Sequence, residues 1–301
     1  MKINLLCNRD NDLKPDNINN FNTVVGWSLR KAFRKLGIDC RIIMEKSLKT
    51  KQPPKADHVI AISGKALHLV QRDPEYRKRL KTATTGKIAG FLDSDFAGWH
   101  EIFDHCFTVV KPKRPQPQYV YAGWGADPDF FYPEQKEKAL FLDSLMYNKY
   151  QGVYDNIYDT YKELLDIPQQ TLSSGDPYTG TALKVGATVH MPLPIYNKRH
   201  FPTYWSQMQK IIRRCHYYCC TQLGESGLTR IEAATSGAVL VVPERLYRPR
   251  TMGSLECRVW STRQELIDAL LTDVDIEANR KKALEHSWDK VVKRMLKAFE
   301  S

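Results

Sequence analysis

Residues 224–237 read GESGLTRIEAATSG, and the apolar stretch AVLVVP follows at positions 238–243. The first stretch combines two glutamates and a Ser-Gly step with a run of small residues that favours a short helix. We predict a loop over 222–227, a helix from about Gly227 to Gly237, and then a buried strand. A helix that begins beside a glycine leaves backbone N–H groups free and carries a partial positive charge, and both properties favour a bound phosphate.

Three residues of this stretch are candidates for ligand contact. Gly227 lets the chain approach a ligand closely, because a side chain at this position would collide with it. Glu232 falls about one and a half turns into the helix, where a carboxylate can accept hydrogen bonds from both hydroxyls of a ribose. Glu225 precedes the helix and is placed to meet sugar hydroxyls. The alternative interpretation is a capped helix with two surface glutamates.

The chain of 301 residues is longer than a single core usually serves, so two domains of roughly 150 residues are expected. Its N-terminus, MKINLLCNRD, predicts a buried strand rather than a signal peptide, and no apolar run is long enough to span a bilayer. The seven cysteines include no C-x-x-C pair. This pattern favours reduced thiols in a cytoplasmic protein over a disulfide framework or a zinc site.

The net charge of +11 is unevenly distributed along the chain. Residues 1–133 carry 22 of the 45 Lys and Arg but only 14 of the 34 Asp and Glu, which gives this half +8 and the remainder +3. A field of this sign attracts polyanions such as nucleic acid or an anionic membrane, although it also serves solubility alone.

Short apolar runs alternate with helical patterns along the whole chain, which predicts an α/β protein with parallel sheets. In the first half we predict a helix over 23–36, a basic helix over KALHLVQRDPEYRKRLKTA, and six strands: KINLLC, DCRIIM, HVIAISG, GKIAGFL, CFTVV and QYVYAG. The polar, Pro-punctuated segment 128–138 is the predicted domain boundary. Beyond it we predict strands at 139–144, 184–190, 214–220 and 238–243, and helices at 154–166, 204–212, 262–271 and 276–300.

The opening stretch resembles the nucleotide-sugar site of GT-B glycosyltransferases, specifically glycosyltransferase family 4. The sequence motif of that family is E-G-F-G-L-x-x-x-E-A-x-A-x-G-x-P-V-V. The positions of this chain that match are Glu225, Gly227, Leu228, Glu232, Ala233, Gly237 and Val241–Val242. The family places seven residues between its two glutamates and this chain places six, because one residue beside Ser226 is missing.

Two further stretches match in the expected order. GADPDFFYP (125–133) resembles the family's G-V-D-x-x-x-F-x-P, and HSWDKVVKRMLKAF (286–299) resembles its closing helix. The resemblance implies the GT-B fold, two Rossmann-like domains with parallel sheets that face each other across a cleft. We expect an acceptor domain over 1–125, a nucleotide-sugar domain over 126–284, and a closing helix over 285–301.

The resemblance also implies the chemistry: a sugar passes from a nucleotide diphosphate donor, UDP-sugars being favoured, to a hydroxyl acceptor. It implies retention of configuration and neither a metal nor a cofactor. Family members use an Arg and a Lys after the first strand of the second domain, and this chain supplies Lys149 but no arginine. Lys149 is either a phosphate clamp or a solvated lysine. Arg230 is either its substitute or an exposed arginine, and Ser226 with the amides of Leu228 and Thr229 completes the donor set.

The predicted first domain adds three candidate catalytic residues. Asp93 and Asp95, in LDSD, follow a predicted strand and are expected to face the cleft, where they hold the acceptor hydroxyl or the donor sugar. Their D-x-D spacing is also the metal-binding pattern of the unrelated GT-A fold, which the GT-B signatures disfavour here. His100 is either a third cleft residue or an ordinary buried or surface histidine.

Two basic patches in the first half are candidates for acceptor binding. Their members are Arg72, Arg77, Lys78, Arg79 and Lys81 in the first patch, and Lys111, Lys113 and Arg114 in the second. These patches favour DNA that carries a hydroxymethylated base, as in phage DNA-modifying glycosyltransferases, because phosphate contacts supply affinity without reading sequence. Aromatic residues expected near the cleft face of the first domain, such as Phe96, Trp99 and Trp124, either stack on a base or pack in the core.

Two other interpretations stay open. A lipid-linked or cell-surface saccharide is the competing acceptor, because glycosyltransferases of that kind rest a basic first domain on anionic membranes. Pro74 and the weak hydrophobicity of the basic helix disfavour this mode. The altered glutamate spacing and the missing arginine are also what a nucleotide-sugar-binding protein without turnover would show.

Overall fold

The computed structural model describes residues 1–7, 18, 21–92, 98–112, 115–142, 178–182, 188–191, 205–220, 227–252 and 254–301. Within this range, the backbone alone is described for residues 21, 137–142, 178–182, 188–191, 207–208 and 250–251. The chain divides into two compact units. The first contains Met1–Gly125 and His286–Ser301, and the second contains Ala126–Glu285.

The first unit is built on a six-stranded sheet in which all neighbouring strands are parallel. Its strands are β1 (Lys2–Cys7), β2 (Asp39–Met44), β3 (His58–Ala61), β4 (Ile88–Leu92), β5 (His105–Thr108) and β6 (Tyr119–Tyr121). They lie in the order β2-β1-β3-β4-β5-β6, so the strand order reverses beside β1. Every residue of β4 and β5 is buried, as expected for parallel strands covered on both faces. All six predicted strands are confirmed.

The helices of the first unit are α1 (Phe21–Lys35), α2 (Gly64–Arg72), α3 (Pro74–Ala83) and, in the C-terminal segment, a long amphipathic helix Trp288–Phe299. The basic helix KALHLVQRDPEYRKRLKTA, predicted to be interrupted by Pro74, forms two helices, because Asp73 ends α2 and caps α3. Asp73 Oδ1 accepts a hydrogen bond from Tyr76 N at 2.9 Å, and Pro74 occupies the first turn, where its missing N–H is tolerated.

The core of the first unit lies between the sheet and these helices. On the α2 and α3 side, Leu6, Val59 and Leu67 pack with Leu80 and Phe103 in one buried cluster. The C-terminal helix packs against α1, where Lys35 Nζ lies 2.6 Å from Asp289 Oδ2. Within the same helix, Arg294 Nε donates to Ala122 O at 2.8 Å. Trp99 and Trp124 are both buried, which favours core packing over base stacking for these two side chains, and Phe96 lies outside the described residues.

The second unit also has a six-stranded sheet. Its strands are β7 (Glu137–Leu142), β8 (Tyr178–Ala182), β9 (Thr188–Met191), β10 (Cys215–Cys219), β11 (Val239–Pro243) and β12 (Cys257–Trp260). The order is β12-β11-β10-β7-β9-β8, and only β8 runs antiparallel to its neighbour among these strands. The order reverses at β7, between β10 and β9. In open α/β sheets, ligands bind beyond the carboxyl ends of the strands at such a reversal.

The described helices of the second unit are α4 (Trp205–Arg214), α5 (Leu228–Thr235), α6 (Pro249–Met252), α7 (Arg263–Leu271) and α8 (Ile276–Ala283), and the long C-terminal helix Trp288–Phe299 is α9. The predicted helices at 204–212 and 262–271 are therefore confirmed, whereas the one at 154–166 lies outside the described residues. The single helix expected over 276–300 is wrong. A 3₁₀ turn at Leu284–His286 and extended Ser287 separate α8 from α9, where the chain returns to the first unit.

All seven cysteines are free, as the sequence predicts, and six of them are buried. Among the described residues, no helix is both long enough and apolar enough to cross a membrane.

Two histidines of the first unit pack around the last turn of α9. The His58 ring stacks on Phe299 with 4.1 Å between ring centroids, and the His105 ring lies 5.9 Å from Phe299. His58 Nδ1 accepts a hydrogen bond from Lys87 N at 3.1 Å, which requires an unprotonated Nδ1. Burial lowers the pKa of both histidines, and the positive charge of Lys87 lowers each pKa further. Asp57 beside His58 and Asp104 beside His105 act in the opposite direction.

Because both pKa values lie below the ordinary value of 6.5, the unfolded chain binds protons at these positions more readily than the folded chain. The free energy of unfolding should therefore fall as the pH drops from about 7.5 through 6.5 toward the folded pKa values. We expect His58→Asn with His105→Phe to reduce this fall, because neither replacement titrates and the introduced amide retains an acceptor for Lys87 N. Urea unfolding at pH 7.5 and 5.5 measures the effect. His68→Gln, an exposed position on α2, serves as the control. An unchanged pH dependence in the double variant would contradict the prediction.

Candidate donor site

The candidate site lies in the second unit, where the chain leaves the carboxyl end of β10 and enters α5. Residues 221–226 of this connection, including Glu225 and Ser226, lie outside the described residues. Leu228–Thr235 forms the helix and Val239–Pro243 the buried strand, so both predicted elements are confirmed. Because β10 adjoins β7, the start of α5 lies beside the reversal of strand order.

The N-terminal end of α5 has the form that anions prefer. Gly227 is the N-cap residue, so no side chain caps the helix. Gly227 and Thr229 are half-buried rather than enclosed, whereas Leu228 is buried. The amides of the first turn and the partial positive charge of the helix therefore point toward partly accessible space.

Arg230 lies against the glycine that begins the helix. A Cβ on Gly227 would lie 2.5 Å from Arg230 Cδ and 2.8 Å from Arg230 Nε. A side chain at 227 would therefore have to displace the side chain of Arg230. Arg230 is only 3% exposed, so its interpretation as an exposed arginine is wrong. Burial raises the pKa of the Cys257 thiol to about 12, and the positive charge of Arg230 is among the influences that oppose this rise.

Glu232 is enclosed rather than at the surface. It is 2% exposed, and its Oε1 accepts a hydrogen bond from Trp205 Nε1 at 3.0 Å. Burial raises the pKa of Glu232 to about 8, and the Trp205 hydrogen bond opposes that rise. The alternative of two surface glutamates is therefore wrong for Glu232, whose carboxyl group holds its proton at neutral pH.

Trp205 is a residue of this site that the sequence did not reveal. It begins α4, 27 positions before Glu232, within a stretch that predicts only an amphipathic helix. Its ring lies 4.5 Å from Phe130 and 5.9 Å from Phe131, centroid to centroid. Two phenylalanines of the GADPDFFYP motif are thereby brought to the glutamate of the GESGLTRIEA motif.

The turn that carries these two phenylalanines is held by buried charges. Asp127 Oδ1 accepts a hydrogen bond from Asp129 N at 3.1 Å, which closes the turn. Arg213 of α4 donates to Phe130 O through Nε at 2.9 Å, and its guanidinium lies 3.7 Å from the Tyr132 ring centroid. These contacts fix the aromatic wall behind Trp205.

The C-terminal end of α5 is also fixed from outside the helix. Gly237 has a φ of +85°, and a Cβ there would lie 2.4 Å from Ile276 Cγ2, so this position requires glycine for two reasons. Arg280 Nη1 of α8 donates to Thr235 O at 2.6 Å and to Phe131 O at 3.0 Å. The helix that carries Glu232 is therefore anchored at its end to the same aromatic turn.

The remaining catalytic and donor candidates are not brought together in the described structure. Asp93, Asp95 and Lys149 lie outside the described residues. His100 lies in a 3₁₀ turn, Trp99–Glu101, and lines a pocket with Lys87 and Ile88. Because Ile88 begins β4, His100 lies near the amino ends of the strands, whereas a residue of the predicted cleft would lie near their carboxyl ends.

The first basic patch divides into different environments. Arg77, Lys78 and Lys81 line one shallow face of α3 with Pro74 and Thr82. Arg79 points elsewhere, because its Nη1 donates to Leu48 O at 3.2 Å and also to Lys49 O.

The other basic candidates are dispersed or undescribed. Arg72 is exposed in the last turn of α2, and Lys111 is exposed beyond β5. Lys113 and Arg114 lie outside the described residues. Across the part of the chain that the structure describes, no group of three or more His, Cys, Asp or Glu is arranged to hold a metal ion.

Substitution of Glu232 tests its environment. Glu232→Gln keeps an acceptor for Trp205 and mimics the neutral acid, so we expect its free energy of unfolding at pH 5 to lie within about 1 kcal/mol of wild type. Glu232→Ala leaves the Trp205 N–H without an acceptor beside a cavity, and we expect it to cost about 2 kcal/mol.

Because folding raises the pKa of Glu232 from 4.5 to about 8, its contribution to stability is present below pH 4.5 and is lost as the pH rises through 8. Wild type should therefore lose stability relative to Glu232→Gln between pH 5 and 8.5 in urea unfolding. A constant difference between the two proteins would show that the carboxyl group is not buried as described.

Comparison with protein-family models finds no match, and comparison with curated proteins likewise finds none. Solved structures do match. An alpha-glucosyltransferase, solved in complex with UDP and a 13-mer DNA containing a HMU base, is 12% identical with a TM-score of 0.60, over 100% of both chains. AviGT4, a glycosyltransferase involved in Avilamycin A biosynthesis, is 11% identical with a TM-score of 0.56, over 99% of this chain and 97% of that one. The α/β architecture with two parallel sheets therefore has the GT-B fold of these glycosyltransferase structures.

Proposed function

We propose that this protein is a glycosyltransferase that binds a nucleotide sugar, with UDP-sugars favoured, at the start of α5 and passes the sugar to a hydroxyl acceptor. The observation that carries the proposal is the position of Glu232. A carboxyl group is buried in a helix whose uncapped N-terminal end lies beside the reversal of strand order in a GT-B fold. The two catalytic features carried over from the family resemblance, retention of configuration and independence of a metal, belong to the same proposal.

The roles of the residues follow from their chemistry. The diphosphate lies at the amides of Leu228 and Thr229, where the helix dipole stabilises the charge that develops on the leaving group. The ribose hydroxyls donate to Glu232 and replace or supplement the Trp205 N–H. Trp205 is a positioning residue in this scheme, because it fixes the carboxyl group that meets the ribose. Lys149 and Glu225 keep the roles that the resemblance implies.

Donor binding should be linked to a proton. Hydrogen bonds from ribose hydroxyls favour the charged carboxylate, so they lower the pKa of Glu232 from about 8. Binding of UDP-glucose at pH 7 should then release a proton, and the affinity should increase as the pH rises toward 8. Calorimetric titration in two buffers that differ in ionisation enthalpy measures the released proton.

Variants make this test specific. A donor at one hundred times its dissociation constant should stabilise the protein by about 2.7 kcal/mol. We expect Glu232→Gln to lose most of this stabilisation together with the proton release, whereas Glu277→Gln, an exposed position on α8, should keep both. Failure of every nucleotide sugar to stabilise wild type would refute the proposal.

For the acceptor, we propose DNA that carries a hydroxymethylated base. The support comes from the net charge of +8 in residues 1–133, from the cations that line one face of α3, and from the structural neighbour solved with such a DNA. A saccharide acceptor on a membrane is the alternative. It is less favoured because α2 and α3, which are fully described, expose no large hydrophobic side chain that could enter a bilayer.

The acceptor is tested by transfer of labelled glucose from UDP-glucose to duplexes with and without 5-hydroxymethylcytosine or HMU. Slow release of glucose to water without DNA separates an active enzyme from a nucleotide-sugar-binding protein, which releases none. Transfer to a lipid-linked saccharide but not to modified DNA would support the alternative acceptor.

DNA affinity should also report on the α3 face. Each lysine–phosphate contact contributes about 0.9 to the slope of log affinity against log salt. Lys78→Gln should therefore lower this slope by about 1, without altering the preference among sequences. Lys293→Gln, which removes the same charge from an exposed position on α9, is the matched control. Equal slopes for the two variants would exclude the α3 face as a DNA contact.

A further inference from the structure

A second pocket lies in the first unit, at the amino ends of its strands. It is lined by Ile88, the first residue of β4, by Asp104, which precedes β5, and by Gln118, which precedes β6. Its cavity measures about 320 Å³, which is at the lower end of the range for small-molecule sites. The pocket belongs to a different unit from α5, so the proposed donor site does not account for it.

Three cations line this pocket. Arg77 and Lys81 come from α3, and Lys87 comes from the segment before β4. Arg77 is held in place, because its Nε donates to Val70 O at 3.0 Å and its Nη2 donates to Gln71 O at 2.8 Å, and Nη1 takes part in neither bond. Among the described residues, no carboxylate lies within 4.0 Å of Lys81 or Lys87. Within the described residues, Lys81 and Lys87 are therefore not held in ion pairs, although the carboxylates of Glu101 and Asp104 line the same pocket.

The wall of this pocket also contains polar side chains. Gln118 Oε1 and His100 Nδ1 are buried, and no described protein group forms a hydrogen bond with either atom. Glu101 is exposed at the rim, whereas Asp104 Oδ2 already accepts a hydrogen bond from Ile88 N at 2.7 Å. Leaving a buried acceptor unsatisfied costs about 1–3 kcal/mol, so this wall favours a ligand with hydroxyl donors.

We propose that this pocket binds a small phosphomonoester that also carries hydroxyl groups, such as a pentose phosphate. The phosphate contacts Arg77, Lys81 and Lys87, and the hydroxyls donate to Gln118 Oε1 and to the carboxylate of Glu101. A lining that holds both cations and unsatisfied hydrogen-bonding atoms matches a ligand with one charged end and one neutral, hydroxylated end. The pocket volume of about 320 Å³ suits one phosphomonoester, whereas a continuous DNA backbone would follow the shallow face of α3 that Lys78 lines. The proposal does not depend on the proposed glycosyltransferase activity.

The test is calorimetric titration of the full chain with ribose 5-phosphate, inorganic phosphate and ribose. Ribose 5-phosphate should bind more tightly than inorganic phosphate, and ribose should not bind detectably. Lys81→Gln with Lys87→Gln should weaken binding of both phosphates at least about tenfold, since each substitution removes a charge-assisted contact. Lys293→Gln with Lys297→Gln removes the same charge from exposed positions on α9 and should leave both affinities unchanged.

Gln118→Leu tests the contacts of the hydroxylated end of the ligand separately from those of the phosphate. This substitution should weaken the binding of ribose 5-phosphate about fivefold, because one ligand hydroxyl loses its acceptor. The affinity for inorganic phosphate should not change. Circular dichroism and urea unfolding confirm that each variant is folded.

Several outcomes would overturn the proposal. The first is that wild type does not bind ribose 5-phosphate at millimolar concentration. The second is that the α9 control loses as much affinity for the two phosphates as Lys81→Gln with Lys87→Gln. The third is that Gln118→Leu leaves the affinity for ribose 5-phosphate unchanged. Loss of duplex DNA binding in Lys81→Gln with Lys87→Gln, without binding of either monophosphate, would instead assign the cluster to a nucleic-acid backbone. Failure of nucleotide sugars to bind wild type would refute the proposed function and leave this site standing.

Discussion

The hydrogen bond from Trp205 to Glu232 is the interaction on which the organisation of the candidate site depends. A carboxyl group that is 2% exposed is tolerated because it stays protonated and because one oxygen has a donor. The same indole packs against Phe130 and Phe131, so one side chain connects α5, the start of α4 and the turn after Asp127. Burial of this carboxyl group therefore favours its protonated form.

Two arginines, the buried Arg213 and the half-buried Arg280, hold that arrangement by donating to backbone carbonyls, and Arg213 also pairs with Glu134. Arg213 donates to Phe130 O, and Arg280 donates to both Phe131 O and Thr235 O. Such bonds satisfy carbonyl groups of the turn and of the helix end, and Gln209 Nε2 also donates to Phe130 O at 2.6 Å. Because the guanidinium donors are planar and remain charged at any relevant pH, they hold one geometry where a lysine would not. Burial lowers the pKa of Arg280 without neutralising it at physiological pH.

Local pattern was enough to predict most of the fold. The strand DCRIIM and the helix and strand between Gly227 and Pro243 were predicted correctly. Their signals, apolar runs and glycines at element ends, lie within a few consecutive residues. Strands β8 and β12 were missed. Each is a short edge strand with its own partner on one side only, so neither sequence carries the continuous apolar run of a central parallel strand. The Trp205–Glu232 pair could not be predicted, since 27 residues and an entire strand separate its members.

The titrating groups of the two units act in opposite directions. In the first unit, His58 and His105 favour folding when they are neutral, so acid weakens the packing of α9 around Phe299. In the second unit, Glu232 favours folding when it is protonated, so its contribution decreases as the pH rises toward 8. Near neutral pH the histidines have mostly lost their protons and Glu232 still holds one, so both contributions are largely present. A ligand that ionises Glu232 therefore gives up part of the folding contribution of that residue, and its own contacts must supply the difference. This requirement makes hydroxyl donors, which stabilise the carboxylate directly, a better match for Glu232 than an anion would be.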